Sequence, residues 1–412
     1  MAQGGIAGSV QTLRQHWWSF FHKRCLVGFP WFWPARPAAM PAMVAARRMI
    51  RRNFGRDHHP VYRAVAQVLA AITWPPAVLV ALWWVRRYRG PEAVPIQLVP
   101  RAFWAAMRHN IVPGEYFAYA LWRPDRKVNI DNYLYTNESP RLFKLLNRPL
   151  QSDPIDDKLA FNKMCKALAV PTPEILAAFT PTGALLEFDS GRPPKRDLFL
   201  KPRASSGSEG TEHLRWRDGV FESNRGCRLS LEDVGGYIAN RALTENRTVL
   251  VQPALSNHPQ LPVIANANLA TARLVTGLST DGDVIPIFGF FIYFTQPDHI
   301  ARVALIDVVK GRLTRASQDA MQLGHQLDIA LDDVCTLPDW DNVLRHIKAA
   351  HQACSNFVFI GWDVAFTEQG PMLLEGNAHW AASEYQRLGG EPLGYTKFAE
   401  ILATRLRGLE TT

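Results

Sequence analysis

The C-terminal part of the chain holds two carboxylates and an amide whose spacing brings them together. Phe357–Phe366, the stretch Thr367-Glu368-Gln369-Gly370-Pro371 and Met372–Asn377 read as two strands joined by a five-residue turn. A turn centred on Gln369 sets Asp363 directly across from Glu375. The strand period of two then puts Asn377 on the same face. Like charges directly opposed destabilise a sheet, so two carboxylates and an amide oxygen in an apolar hairpin call for a cation. Magnesium, a hard oxygen-liganded ion whose shell phosphate can complete, suits this donor set. The competing reading is an exposed sheet face on which the acids are simply solvated, and a one-residue slip in register would also part them.

A second constellation lies upstream. The strand Leu198–Lys201 ends in a lysine and runs through Pro202 into Ala204-Ser205-Ser206-Gly207-Ser208-Glu209-Gly210. One ammonium and several backbone N–H groups on a small-residue loop can hold a polyphosphate, although ordinary surface loops read the same way. Arg273 falls in the apolar strand Ala272–Thr276, where an unpaired charge is costly. A phosphate or acyl-phosphate group would answer it, and so would a structural salt bridge. His379 either meets substrate or packs beside Trp380. Asp307 and Lys310 either border the site or form a surface turn. Ser205 and Ser206 have no histidine and aspartate partners at legible spacing, which argues against a serine hydrolase.

The elements that must position these residues are legible in outline. Asp153-Pro154 marks a boundary, and Asp157 is placed to cap a helix whose Phe161, Met164, Cys165 and Leu168 share a buried face. Val170-Pro171-Thr172-Pro173 stops that helix. Further strands are expected at Thr248–Gln252 and Val284–Phe294, and helices at Ser230–Ala242, Ala316–Ala330, Trp340–Ser355 and Tyr395–Arg405. Mixing of this kind indicates an α/β or α+β domain. The chain divides into a basic, aromatic segment (1–110), a connecting region (111–153) and a catalytic domain (154–405).

The 412 residues carry a net charge of +9, unevenly spread. Residues 1–110 hold 15 Lys or Arg, two acids and eight of the 13 tryptophans, giving about +13 there and roughly −4 elsewhere. Tryptophan flanked by arginine suits an anionic membrane surface, met through residues 1–90. No nucleic-acid motif accompanies the charge, so nucleic acid is not expected as a partner. Val65–Val85 is almost wholly apolar, but Pro75-Pro76 should break a straight helix. An interfacial helical hairpin, a buried helical core and a true span all remain open for it. The five cysteines form no C-x-x-C pair, and cations interrupt every apolar run near the N-terminus. A reducing, cytoplasmic setting is expected, with peripheral attachment to the inner membrane face as an option.

Several motifs, taken in order, resemble the ATP-grasp enzymes. These are Asp157-Lys158 opening a helix that ends in Val-Pro-Thr-Pro, Lys201-Pro202 with its Ser/Gly loop, Leu250-Val251-Gln252-Pro253, and Gly361-Trp362-Asp363 with Leu374-Glu375-Gly376-Asn377. The stretch from Leu250 to Pro259 and Thr271–Thr276 are similar to the sugar-transfer-associated ATP-grasp group. The resemblance spans roughly residues 150–405 and implies an α+β fold of two α/β subdomains clasping ATP. It implies that Lys158 and Lys201 contact the nucleotide phosphates and that Ser205, Ser206, Gly207 and Gly210 belong to a lid. Val251, Gln252 and Pro253 would lie along the adenine. Asp363, Glu375 and Asn377 would bind one or two magnesium ions, and Arg273 and Lys201 would assist catalysis. An acid that many such ligases place after the adenine linker is missing here until Asp281, with Asn257 or His258 as substitutes. The implied activity is ATP-dependent joining of a carboxylate to an amine or thiol through an acyl phosphate, on a glycan-linked or envelope precursor. A kinase acting on a hydroxyl and a membrane-associated scaffold that binds nucleotide without turnover are the alternatives.

Overall fold

The structure, a computed structural model, describes residues 39–53, 59–89, 94–147, 154–204, 210–261, 268–294, 301–317, 328–330 and 336–410. It opens with helices α1 (Pro41–Asn53), α2 (Pro60–Arg89) and α3 (Val99–His109), followed by short turns and α4 (Ser139–Leu146). Helix α2 runs unbroken through Pro75 and Pro76, against the break expected there. Tertiary contacts offset the lost backbone donors. Trp74 and Val78 are buried against α3, and the Trp74 indole N–H donates to the Ala106 carbonyl at 3.2 Å. Among the described residues, no helix is long and apolar enough to cross a membrane.

Helix α5 (Lys158–Ala167) begins where Asp157 caps it, the carboxylate accepting from the N–H groups of Leu159 and Ala160 at 3.0 and 3.2 Å. Two seven-stranded sheets follow. The first contains β1 (Ala177–Thr180), β2 (Gly183–Leu186), β3 (Leu198–Pro202), β4 (Glu212–Arg217), β5 (Val220–Ser223), β6 (Arg228–Leu229) and β7 (Val249–Pro253). Its order is β2-β1-β7-β3-β4-β5-β6, and helix α6 (Asp233–Thr244) covers one face. Val234, Ile238 and Ala242 repeat every four residues, so they line the helix edge that meets Leu198, Leu200 and Val251. Fully burying each such branched aliphatic side chain contributes about 1.5–3 kcal/mol.

The second sheet contains β8 (Thr271–Leu278), β9 (Val284–Phe294), β10 (Ala301–Asp307), β11 (Arg312–Ser317), β12 (Asp328–Ala330), β13 (Phe359–Thr367) and β14 (Gly370–Asn377). Its order is β12-β11-β10-β9-β8-β13-β14, which leaves β14 at an edge. One face packs on α5 and α7 (Trp340–Ala353) through Phe161, Ile347, Trp362 and Val364. The other packs on α1, α4, α8 (Ser383–Gly389) and α9 (Lys397–Glu410) through Met43, Phe143, Leu388 and Phe398.

Of the helix expected over Ala316–Ala330, the two described ends are strand instead. Ala316 pairs with Ile329 across β11 and β12, and the residues between those strands lie outside the described set. The other expected helices and strands are present, with ends moved by a few residues. Strands β1, β2, β4, β5, β6, β10, β11 and β12 were not expected; the first five are only two to six residues long, and β2, β4 and β6 include exposed positions.

Candidate active site

The hairpin β13–β14 places Asp363 opposite Glu375, as the spacing predicts, but by another route. Thr367 pairs with Gly370, so the turn contains only Glu368 and Gln369 rather than five residues. A turn that short would set Asp363 against Leu374. The register shifts between Asp363 and Val364, with Leu374 as the extra residue, and the bulge brings Glu375 into line. Gly370, at φ 97°, supplies the left-handed residue the tight turn needs.

Asn377 lies on the same face, its amide nitrogen 3.4 Å from Glu375 Oε1. Asp363 is also directly paired with Arg273 on β8, and the guanidinium grips its carboxylate in two places, Nη2 to Oδ2 at 2.9 Å. Of the two readings of Arg273, the salt bridge is the arrangement present. Glu375 Oε2 stands 3.2 Å from the ammonium of Lys158, which reaches it from the first residue of α5 past the edge strand. A row of alternating support results: arginine, carboxyl, carboxylate, lysine.

Burial and the nearby Glu375 carboxylate push Asp363 up to about 6, despite the pull of Arg273. Burial alone would raise Glu375 too, but Lys158, a hydrogen bond from Asp363 and Lys201 hold it below the usual carboxylate range. Of the two, Asp363 is therefore the one that takes up a proton first as pH falls toward about 6.

Lys201 approaches from the first sheet. Leu198 and Leu200 turn toward α6, so the period of two turns Lys201 to the opposite face, beside Leu250 and Gln252. Its side chain is only 8% exposed and has no hydrogen bond or ion pair among the described residues. Burial drives its ammonium down to about 8, with Glu375 and Asp363 pulling it up and Lys158 opposing them. A buried cation without a direct partner is costly unless an anionic ligand meets it.

Two contributors escaped the sequence reading. Arg203 at the end of β3 forms a two-pronged bond to Asp157, Nη2 to Oδ2 at 2.6 Å, and its carbonyl accepts from the Lys158 N–H at 3.1 Å. Burial would raise Asp157, yet the arginine holds it low. That clamp ties the first sheet to the start of α5. Asp156, at φ 68°, lines a cleft with Asp157, Lys158, Phe161, Glu375 and Asn377. Burial raises its carboxyl, against the nearby charge of His379. A charged residue directly after Lys201-Pro202 was the available signal for Arg203; an acid beside a cap gives none.

The remaining candidates are less central. Val251 is buried toward α6, so its side chain turns away from the cleft, whereas Gln252 is buried with its amide donating to the Pro173 carbonyl at 3.3 Å. Pro253 pairs with Leu198. Ser205, Ser206 and Gly207 lie outside the described residues; Gly210 sits at φ 70° with its carbonyl held by Arg241. Asn257 staples its own loop, accepting from the Ala270 N–H at 2.8 Å. His379 is exposed while Trp380 is buried. Asp307 folds the β10–β11 turn by accepting from the Val309 N–H at 3.0 Å.

Among the described residues no group of three or more His, Cys, Asp or Glu gathers; the oxygen-bearing side chains together on this face of the hairpin are Asp363, Glu375 and Asn377. Two carboxylates and an amide fit magnesium, which keeps room for phosphate oxygens and takes no soft ligands.

Two antiparallel sheets, one bringing a strand-end lysine near a carboxylate pair on the other, are the arrangement of an ATP-grasp enzyme. A family model described as sugar-transfer associated ATP-grasp matches residues 137–396, and the chain belongs to that family. ATP is accordingly its nucleotide. Similar solved structures include the D-alanine–D-alanine ligase of Bacillus anthracis, at 12% identity and TM-score 0.36, over 66% of this chain and 76% of that one. D-alanyl-alanine synthetase A of Vibrio cholerae is similar at 11% identity and TM-score 0.36, over 73% and 75%. The L-amino acid ligase of Bacillus licheniformis is similar at 11% identity and TM-score 0.35, over 66% and 56%. No curated protein matches the chain.

Proposed function

We propose that this enzyme is a magnesium-dependent ligase that joins a carboxylate to an amine, or to a thiol, through an acyl phosphate. The observation that carries the reading is Lys201, buried without a direct partner on one sheet and near the Asp363–Glu375 pair of the other. Polyphosphate between the two would satisfy both at once.

In this scheme Lys158 and Lys201 bind the phosphates, and Ser205, Ser206, Gly207 and Gly210 close over them. Gln252, with the backbone of Val251 and Pro253, borders the adenine. Asp363, Glu375 and Asn377 hold magnesium, which supplies charge neutralisation when bound. A substrate carboxylate oxygen attacks the γ-phosphorus, the bond to the β,γ-bridging oxygen breaks, and ADP leaves. The amine then attacks the acyl carbon, phosphate departs, and the nitrogen gives up a proton. Arg273 holds Asp363 in position and stands near enough to steady negative charge. The association with sugar transfer in the family's description supports a glycan-linked or envelope precursor as the substrate class.

ADP release measured over a panel of carboxylates and amines tests this. The expected result is release that depends on a carboxylic acid, trapping as a hydroxamate with hydroxylamine, and a loss of about 100-fold or more in Glu375→Ala. Equal release by wild type and Glu375→Ala would sink the metal assignment. A phosphorylated product without hydroxamate would make the enzyme a kinase.

A further inference from the structure

We infer that α2 and α3 form a docking surface for an anionic lipid bilayer, lying on it rather than crossing it. The observation is a stripe of apolar residues that the described residues leave uncovered. Val65, Leu69, Ile72, Leu79 and Trp83 are each between 51% and 65% exposed. They recur at three-, four- and seven-residue steps, so they follow one edge of α2 for about 27 Å. The opposite edge, with Trp74, Val78, Ala81 and Leu82, is the one buried against α3 and its neighbours. The stripe ends at exposed Arg87, one turn beyond Trp83. On α3 the exposed face reads Arg101, Trp104, Arg108, with Trp104 69% exposed.

Charge selects the occupant. Residues 39–114 carry eleven arginines against two acids, Asp57 and Glu92. Protein–protein interfaces also enrich tryptophan and arginine, but so large an excess of one sign suits a surface that is anionic throughout, and a headgroup layer accepts apolar side chains, amphipathic tryptophan and arginine together. Each arginine near an anionic surface strengthens attachment about fivefold, and salt weakens it. None of these residues belongs to the nucleotide cleft, so the surface stands or falls apart from the proposed reaction.

Sedimentation of the full chain with phosphatidylcholine vesicles, with and without phosphatidylglycerol, tests the surface. The expected result is binding only to the anionic vesicles, reduced by salt. It should weaken about fivefold in Arg101→Gln and more than tenfold in Ile72→Glu/Leu79→Glu, with ATP binding unchanged in each variant. Because these side chains are exposed, the variants should keep the wild-type thermal transition. Equal binding to neutral vesicles would overturn the proposal. So would a lipid-free dimer that Ile72→Glu/Leu79→Glu splits, which would make the stripe an interface between copies. A monomer that ignores both kinds of vesicle would also overturn it.

Discussion

Lys201 gives the site its clearest pH signature. Its ammonium, held near 8 by burial, loses its proton earlier than the same group in the unfolded chain, whose ordinary value is 10.5. The apo protein is therefore strained by this charge below about pH 8 and relieved as pH rises from there toward 10.5. Phosphate needs the charged form, so affinity for a non-hydrolysable ATP analogue should fall about tenfold per pH unit above about 8. Calorimetric titration across that range checks it. In Lys201→Arg, whose charge does not titrate there, the slope should vanish, and a flat wild-type profile would refute the assignment. Arg273 makes a second test. Replacing it with Met leaves Asp363 without its partner and should cost about 2 kcal/mol of apo stability in urea. Adding Asp363→Asn should restore part of the loss, because the stranded charge is then gone.

At the level of elements, the β13–β14 hairpin depends on close approaches. A Cβ on Gly376 would come within 2.8 Å of Ile155 Cδ1 and 3.0 Å of Trp362 Cζ3. Gly376→Ala should therefore lower stability by about 1–3 kcal/mol, measured by thermal or urea unfolding, and reduce ADP release through the displaced Glu375. Beneath the hairpin runs a buried polar chain. The Trp362 indole donates to Thr276 Oγ1 at 2.8 Å, Thr276 to His351 Nδ1 at 2.7 Å, and His351 Nε2 to the Phe357 carbonyl at 3.0 Å. Burial lowers His351 from 6.5 to about 4, which suits this neutral tautomer. The unfolded chain takes up a proton below about 6.5 and the folded one only near 4, so stability should drop as pH falls through that window. The full effect is about 3 kcal/mol. His351→Gln should be less stable at neutral pH yet lose that part of the pH dependence; an unchanged slope would count against the buried neutral histidine.

In the proposed scheme ATP lies between two sheets that different cores support, so ligand should couple them. At a nucleotide concentration about 100 times Kd, stability should rise by about 2.7 kcal/mol. Lys201→Met should lose most of that gain at the same concentration, as scanning calorimetry would show. Parts of this design are legible in the sequence. The residue types and their order named Asp363, Glu375, Asn377, Lys158 and Lys201, and local hydrogen bonding made Asp157 a recognisable cap. The hairpin reading reached the right pair through a turn that is too long, because a bulge at Leu374 restores the register. Bulges depend on packing and leave little trace in residue spacing. Three facts belong to tertiary structure alone: Arg273 pairs with Asp363, Arg203 clamps Asp157, and Lys201 is buried near Glu375. The first two join residues 90 and 46 positions apart, and the third joins two sheets. Strand order and desolvation decide such contacts, whereas the sequence by itself determined which groups were available to make them.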